Sequence, residues 1–453
     1  MKKVFSLALC FALILGLAAC GQSEQDKKFD ELVRQSSTSD ASVLESPSGA
    51  AYDPEGLSAD LVLRTYTSRG SVEIWADCIR EFNETYPNVH IEIKDYDLLS
   101  DSDGYITQTT VALMSGEAGD ILDLSYLPAY RYSASGVLKE LDGFMEADPD
   151  FAGDKYYTNI IDAMRCNGKL YTMPYEFTPI GIRLELHTAD DLHVSYGTGA
   201  PIKVSEVLRM AAQAEMPALD TSSWAAFNFV EFSSRIDEDG KTADLDSESF
   251  VQYLEDLRAV DYGASGSGAR PMPDDGNLGG GLASIATLMP AAETMMQGYQ
   301  DMLDYSTNVG NSYITSEVTP LMALETDEGD RLFSASSLAI TSACENDEAA
   351  FAFIKFMLDC ERKLDEDCYF TSALGPVNRG VHQKLLKLYL RDDAEVEALD
   401  AWYAQLDKVV FYDRNIELQN KLNEICDQYM RDLISAEDCA KQMQGVADIY
   451  LNE

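Results

Sequence analysis

Apolar and polar positions recur with two different periods along this chain, and each change of period marks an element. Leu61–Thr67 (LVLRTYT) reads as a strand. From Ser71 to Tyr86 the apolar residues Val72, Ile74, Trp75, Ile79 and Phe82 return at helical spacing. Pro87 ends that helix, and Val89–Tyr96 (VHIEIKDY) alternates at period two, as a half-buried strand does. Tyr105–Met114 is helical and stops at Ser115-Gly116. Asp120–Leu124 (DILDL) is the next short strand. Gly136–Leu141 leads into a helix-rich stretch, and Gly168–Pro174 (GKLYTMP) reads as a strand running into a proline. Strands and helices that alternate in this way predict an α/β fold with a mostly parallel sheet and helices on its faces.

A second α/β region begins near Phe177. The pattern predicts helices over Val204–Ala214, Ser222–Arg235 and Ser247–Arg258, with a turn at Asp239-Gly240. Tyr262–Gly281, which contains GASGSGARPMPDDGNLGGG, reads as a long surface loop. Leu338–Thr341 is strand-like. Glu348–Leu358 is a strongly apolar helix, with Asn346 or Asp347 placed to cap it. Ile416–Met430 and Ala436–Leu451 predict two closing helices, and no internal repeat is visible.

The first sixty residues follow neither period. Lys2 and Lys3 precede an apolar run, Val4–Leu17, and then Leu17-Ala18-Ala19-Cys20-Gly21. A basic end, an apolar stretch of roughly 7–15 residues and small residues at a cut form a secretory signal. A cysteine directly after the small residues resembles a bacterial lipoprotein signal, in which that thiol is acylated; an ordinary signal with a chance cysteine is the alternative. Residues 1–19 are therefore expected to be removed and Cys20 to carry lipid. Residues 20–60, rich in Ser, Gln, Asp and Gly, have little apolar surface to offset ordering and read as a disordered tether.

About 430 residues remain, more than one core of roughly 250–300 residues accommodates, so two lobes are expected. The net charge is −44, from 34 basic and 78 acidic residues. Such a chain is repelled by nucleic acid and anionic lipid, and disfavours an anionic ligand. After Cys10 and Cys20, seven cysteines remain at irregular spacing; this is no disulfide framework, although Cys360 and Cys368 are close enough in sequence to pair. The four histidines form no metal or triad spacing, and no zinc-protease helix, serine elbow or phosphate loop is present. The aspartate-rich turns Asp148–Gly153 and Asp237–Asp246 lack the spacing of a calcium loop. No metal and no cofactor are expected.

Five segments carry a resemblance to the extracellular solute-binding proteins of ABC importers, the family of the maltose-binding proteins. They are Phe82–Ile93 (FNETYPNVHIEI), Ala112–Leu138 (ALMSGEAGDILDLSYLPAYRYSASGVL), Cys166–Pro174 (CNGKLYTMP), Ser336–Leu358 (SSLAITSACENDEAAFAFIKFML) and Leu374–Arg379 (LGPVNR). Gly119 stands where proline is commoner in the family, and Thr178–Thr319 matches only in outline. The resemblance implies a two-lobed, periplasmic-binding-protein-like type II fold with a ligand cleft between the lobes. It places 61–173 plus 343–407 in one lobe and 178–337 plus 412–453 in the other. Interlobe crossings are expected near Pro174–Pro179, Ser337–Ser342 and Val410–Asn415. It also implies a non-enzymatic, monomeric protein outside the cytoplasm that hands a small solute, of carbohydrate type, to permease subunits and touches the membrane only through its lipid.

In open α/β sheets ligands lie beyond the carboxyl ends of the strands. That rule selects Tyr66 and Thr67 after the first strand, Asp123, Ser125, Tyr126 and Tyr130 around the Asp120–Leu124 strand, and Tyr175 and Glu176 at the first crossing. Trp224, with Asn228 one turn on, is the candidate platform from the other lobe. Aromatic rings cover the apolar faces of sugars, while carboxylates and amides hold their hydroxyl edges. Trp75 and Trp402 fall in helical patterns and read as packing. A secreted glycoside hydrolase, with two carboxylates facing across a cleft, and a surface lipoprotein are the rival classes.

Overall fold

The computed structural model describes residues 56–67, 71–97, 102–182, 189–190, 193–213, 219–220, 223–260, 262–263, 319–361, 375–389, 393–410 and 415–452. The leader, Cys20, the tether up to residue 55, Cys368 and nearly all of the glycine-rich loop lie outside them; Ala59 and Asp60, expected in the tether, pair as the start of a strand. Among the described residues no helix is long and apolar enough to cross a membrane.

The chain begins with β1 (Ala59–Thr67), α1 (Ser71–Thr85), β2 (Val89–Asp97), α2 (Ser102–Ser115) and β3 (Ile121–Asp123). Short helices α3 (Ala129–Ala134), α4 (Asp142–Ala147) and α5 (Thr158–Ala163) lead to β4 (Met173–Pro179). A second region follows: β5 (Gly181–Ile182), β6 (Pro201–Lys203), α6 (Val204–Gln213), β7 (Leu219–Asp220), α7 (Ser223–Arg235), β8 (Ile236–Asp237), β9 (Thr242–Ala243), α8 (Glu248–Ala259), β10 (Tyr262–Gly263) and β11 (Met322–Glu325). The chain returns through β12 (Leu332–Ile340), α9 (Asp347–Asp359), β13 (Gly375–Pro376), α10 (Arg379–Tyr389), α11 (Asp393–Tyr403) and β14 (Lys408–Val409). It closes with α12 (Ile416–Met430) and α13 (Ala436–Asn452).

The main sheet has the order β13-β4-β12-β3-β1-β2, with β14 beside β12. It is mixed, not mostly parallel. β1 pairs in parallel with β2 and β3, but β12 runs antiparallel between β3 and β4 because the chain re-enters this sheet from the other region. Two expected strands change shape. Leu338–Thr341 proves to be the end of the nine-residue β12, whose first half is masked in sequence by Ser334, Ser336 and Ser337. Gly168–Pro174 is not one strand. Cys166 and Lys169 exchange backbone bonds of 2.9 and 3.0 Å around Asn167-Gly168, both at positive φ, and the strand starts at Met173.

Two large cores divide the molecule. One gathers Leu61, Leu63, Phe82, Ile121, Phe177, Phe333 and Phe353, and a smaller cluster with Tyr105, Leu122 and Tyr132 covers other parts of the same sheet. The other core gathers Ile182, Val207, Phe227, Phe232, Phe250, Leu418, Leu422 and Met443. Trp75 and Trp402 are packed into the first core, and the six described cysteines are buried thiols. The chain changes core between Phe177 and Ile180, between Leu332 and Phe333, and between Val409 and Val410. The second crossing therefore falls before Ser337–Ser342, which lie within or beside the first sheet where Leu338–Ile340 pair with β3.

Gly119 explains the departure from proline at that position. Its φ is +96°, which proline's ring forbids. An added Cβ would sit 2.9 Å from the Val62 carbonyl oxygen and 2.8 Å from Val62 Cγ1. This close approach lets Asp120 seal the strand start: its Oδ2 accepts from the Val62 amide at 2.8 Å, and its own amide donates to the Val62 carbonyl at 2.9 Å. Gly119→Ala is expected to destabilise the protein by about 1–2 kcal/mol, from a positive φ and a backbone clash together. Urea unfolding of the variant checks this; an unchanged midpoint would contradict the tight β1–β3 seam.

Candidate functional site

The carboxyl ends of β1 and β3 and the middle of β4 bring six of the sequence-selected residues together. β3 ends at Asp123, which is 2 % exposed. Its Oδ2 accepts from the Thr65 hydroxyl at 2.8 Å and its Oδ1 from the Ser125 amide at 3.0 Å. Burial pushes its pKa up, and the bonds from Ser125 and Thr65 act against that rise. The chain then turns sharply. Leu127 N bonds to Leu124 O at 3.0 Å, and Tyr126 is held at φ +61°. A non-glycine residue in that region carries strain of about 1 kcal/mol or more, and such strain gathers at functional positions. Tyr126 is 43 % exposed, among the few large apolar side chains left open, and its ring meets Tyr66 edge-on at 5.1 Å.

Tyr66 stands between this turn and the sheet. Its hydroxyl bonds to Ser125; burial, then the charge of Asp123, raises its pKa, so it stays protonated. Tyr175, on β4, packs edge-on against Trp75 at 6.0 Å. Its hydroxyl bonds to Ser336, and burial followed by the fields of Asp123 and Glu176 pushes it well up. Glu176 is 2 % exposed, paired in register with Ser336 and Pro376. Asp123 and Glu176 both belong to one sheet and do not face each other across the seam of the lobes. Among the described residues no lysine or arginine pairs with Asp123. The cluster therefore combines apolar ring surface, protonated phenols and buried carboxyl oxygens.

The other selected residues go elsewhere. Asn228 leaves the candidate site: it is fully buried in the second core, accepting from the Tyr253 hydroxyl at 2.7 Å and donating to Asn423 at 3.0 Å. Its place one turn after Trp224 put it on the helix face that packs against α8 and α12. Trp224 lies in the first turn of α7, but its side chain, like that of Thr67, is outside the described residues. Tyr130 spans the seam and donates to Asp239 Oδ1 at 3.0 Å. Thr65, Tyr105 and Ser336 were not selected from sequence. Thr65 and Ser336 each carried a signal, a polar residue at an inward strand position.

The aspartate turns are occupied by protein cations and amides. Lys155 donates to Asp150 at 2.7 Å and Lys355 bonds to Asp148, while Asp237 Oδ1 accepts from the Gly240 amide at 2.9 Å.

Residues 77–398 match the family of bacterial extracellular solute-binding proteins, and the chain belongs to that family. Solved structures show the same two-lobed fold. An ABC substrate-binding protein from Listeria monocytogenes, in complex with cycloalternan, is 18 % identical with a TM-score of 0.55, over 87 % of this chain and 99 % of its own. A periplasmic oligogalacturonide-binding protein from Yersinia enterocolitica is 15 % identical with a TM-score of 0.59, over 87 % and 99 %. Maltose-bound MalE3 from T. maritima is 15 % identical with a TM-score of 0.52, over the same shares. No functionally curated protein matches the sequence.

Proposed function

We propose that this chain is the capture component of an ABC importer, anchored outside the cell through lipidated Cys20, and that its ligand is a neutral saccharide. The lobes are those of the two cores, and the solute lies at their seam against Tyr126. The observation that carries this reading is the half-open Tyr126 ring, held at positive φ with its ring against Tyr66, on the turn that follows buried Asp123. A ring face covers the C–H face of a pyranose. Carboxylates and phenols at its edge accept and donate to hydroxyls, and charge-assisted bonds are the stronger ones. The net charge of −44 disfavours sugar acids and phosphates. The cycloalternan and maltose of two neighbours support a neutral saccharide, and the family supports delivery to a permease without chemistry.

A melting screen tests it. Neutral mono- and oligosaccharides are expected to raise Tm, by about 2.7 kcal/mol of added stability at a hundredfold excess over Kd. Uronic acids of the same size are expected to give no shift. Hydrolysis of any sugar in the screen, or a shift from acidic sugars alone, would overturn the reading.

A further inference from the structure

Tyr130 and the residue after it do something the binding reading does not need. Both sit on α3, immediately beyond the Tyr126 turn, and each grips a different segment of the other lobe. The Tyr130 hydroxyl donates to Asp239 Oδ1 at 3.0 Å, and the Asn167 amide donates to Asp239 Oδ2 at 2.9 Å. One carboxylate at the tip of the β8–β9 hairpin is thus held through both oxygens by two separate segments of the first lobe. The Asn167-Gly168 turn sets that amide's direction. Arg131 donates to Glu417 Oε2 at 2.9 Å, with side-chain exposures of only 13 % and 18 %. Its guanidinium also lies 4.9 Å over the Tyr450 ring, whose hydroxyl bonds to Glu417 and Asn415 at 3.4 Å. Asn415 in turn bonds to Glu238, next to Asp239.

We infer that Tyr130, Asn167 and Arg131 with Asp239, Glu417 and Tyr450 form a clasp that sets the closing equilibrium of the lobes independently of solute. The inference rests on the reading that the lobes close, and concerns its control. Charge gives the reason. A chain of net charge −44 has lobes that repel each other. Arg131 brings a cation against Glu417, and Asp239 is met by neutral donors, so the contact adds no like-charge pair. A half-buried ion pair with a planar fork and an aromatic neighbour is the kind that holds. Opening hydrates Arg131, Glu417 and Asp239 again, while salt screens the exposed charges that push the lobes apart more than it screens this enclosed pair.

The test needs no ligand. Small-angle scattering of the full chain compares the wild type with Arg131→Gln/Asp239→Asn, at low salt and at high salt. The variant is expected to show a larger radius of gyration at low salt, and to contract toward the wild type as salt rises. Circular dichroism confirms that both are folded. Should that variant fail to fold, Tyr130→Phe/Asp239→Asn removes the Tyr130 bond and the Asp239 charge at nearly constant shape and gives a smaller expansion. Superimposable scattering curves for wild type and folded variant would overturn the clasp. Because no saccharide enters the experiment, that failure leaves the ligand reading standing, and a failed sugar screen leaves the clasp standing.

Discussion

Tyr126→Ala lowers affinity for the saccharide by about 30-fold, or about 2 kcal/mol, while the unliganded protein melts nearly where the wild type does. The two halves of this result come from the same geometry. The ring is exposed enough to lose little packing when removed, its described ring contact being the edge of Tyr66. What it offers is a flat apolar face beside acceptors that a ligand covers. Tyr126→Gly sharpens the test. Glycine accepts φ +61° without the steric cost a tyrosine bears there, so this variant is expected to melt at or above the wild type and still lose binding. Calorimetric titration with the sugar that raises Tm provides the affinities. Unchanged affinity in both variants would move the site away from the β3 turn.

The second large effect concerns pH and the other lobe. Glu231, on α7, is 1 % exposed and pairs with Arg235 at 3.1 Å. Burial lifts its carboxyl to about 7; Arg235 pulls it down, and Asp327 and Glu328 push it up again. A carboxyl that binds its proton more tightly when folded favours the folded state at low pH. That contribution is full at and below the unfolded value near 4.5 and is lost as pH rises to about 7. The loss amounts to about 3 kcal/mol. Glu231→Gln has no such proton. The difference in unfolding free energy, wild type minus variant, should therefore fall across pH 4.5–7 and be flat above. Urea titrations at five pH values measure it, and a difference that is flat throughout would show that Glu231 stays charged. The variant leaves Arg235 without its carboxylate, so its absolute stability drops at neutral pH. The slope, not the offset, carries the prediction.

Much of the fold was legible because the helices are amphipathic and the early strands alternate. The helix at Ser71–Thr85 and the two at the C-terminus fell within a residue or two of their predicted ends. What was not legible depended on partners distant in sequence. β12 could not be read as nine residues, because Ser334, Ser336 and Ser337 interrupt its apolar run. Its antiparallel insertion between β3 and β4 depends on a chain that leaves and returns, which local pattern does not encode. Six residues selected by position, Tyr66, Asp123, Ser125, Tyr126, Tyr175 and Glu176, are brought near one another by β1, β3 and β4. Selection by position failed for Asn228, where a helix period cannot tell an amide aimed at a cleft from one aimed at Tyr253. It also gave no warning that Tyr130 reaches Asp239, a contact set by how two lobes meet.

The triple exchange of the chain between cores also bears on its order of assembly. The second core is finished by Cys439, Ala440, Met443, Ala447 and Leu451, more than two hundred and fifty positions after Ile180 and Ile182 begin it. A polypeptide synthesised from its amino end therefore cannot complete that half until its last helix arrives. Until then the sides of α7 and α8 that meet α12 and α13 have no cover. That half is complete only when α12 and α13 dock.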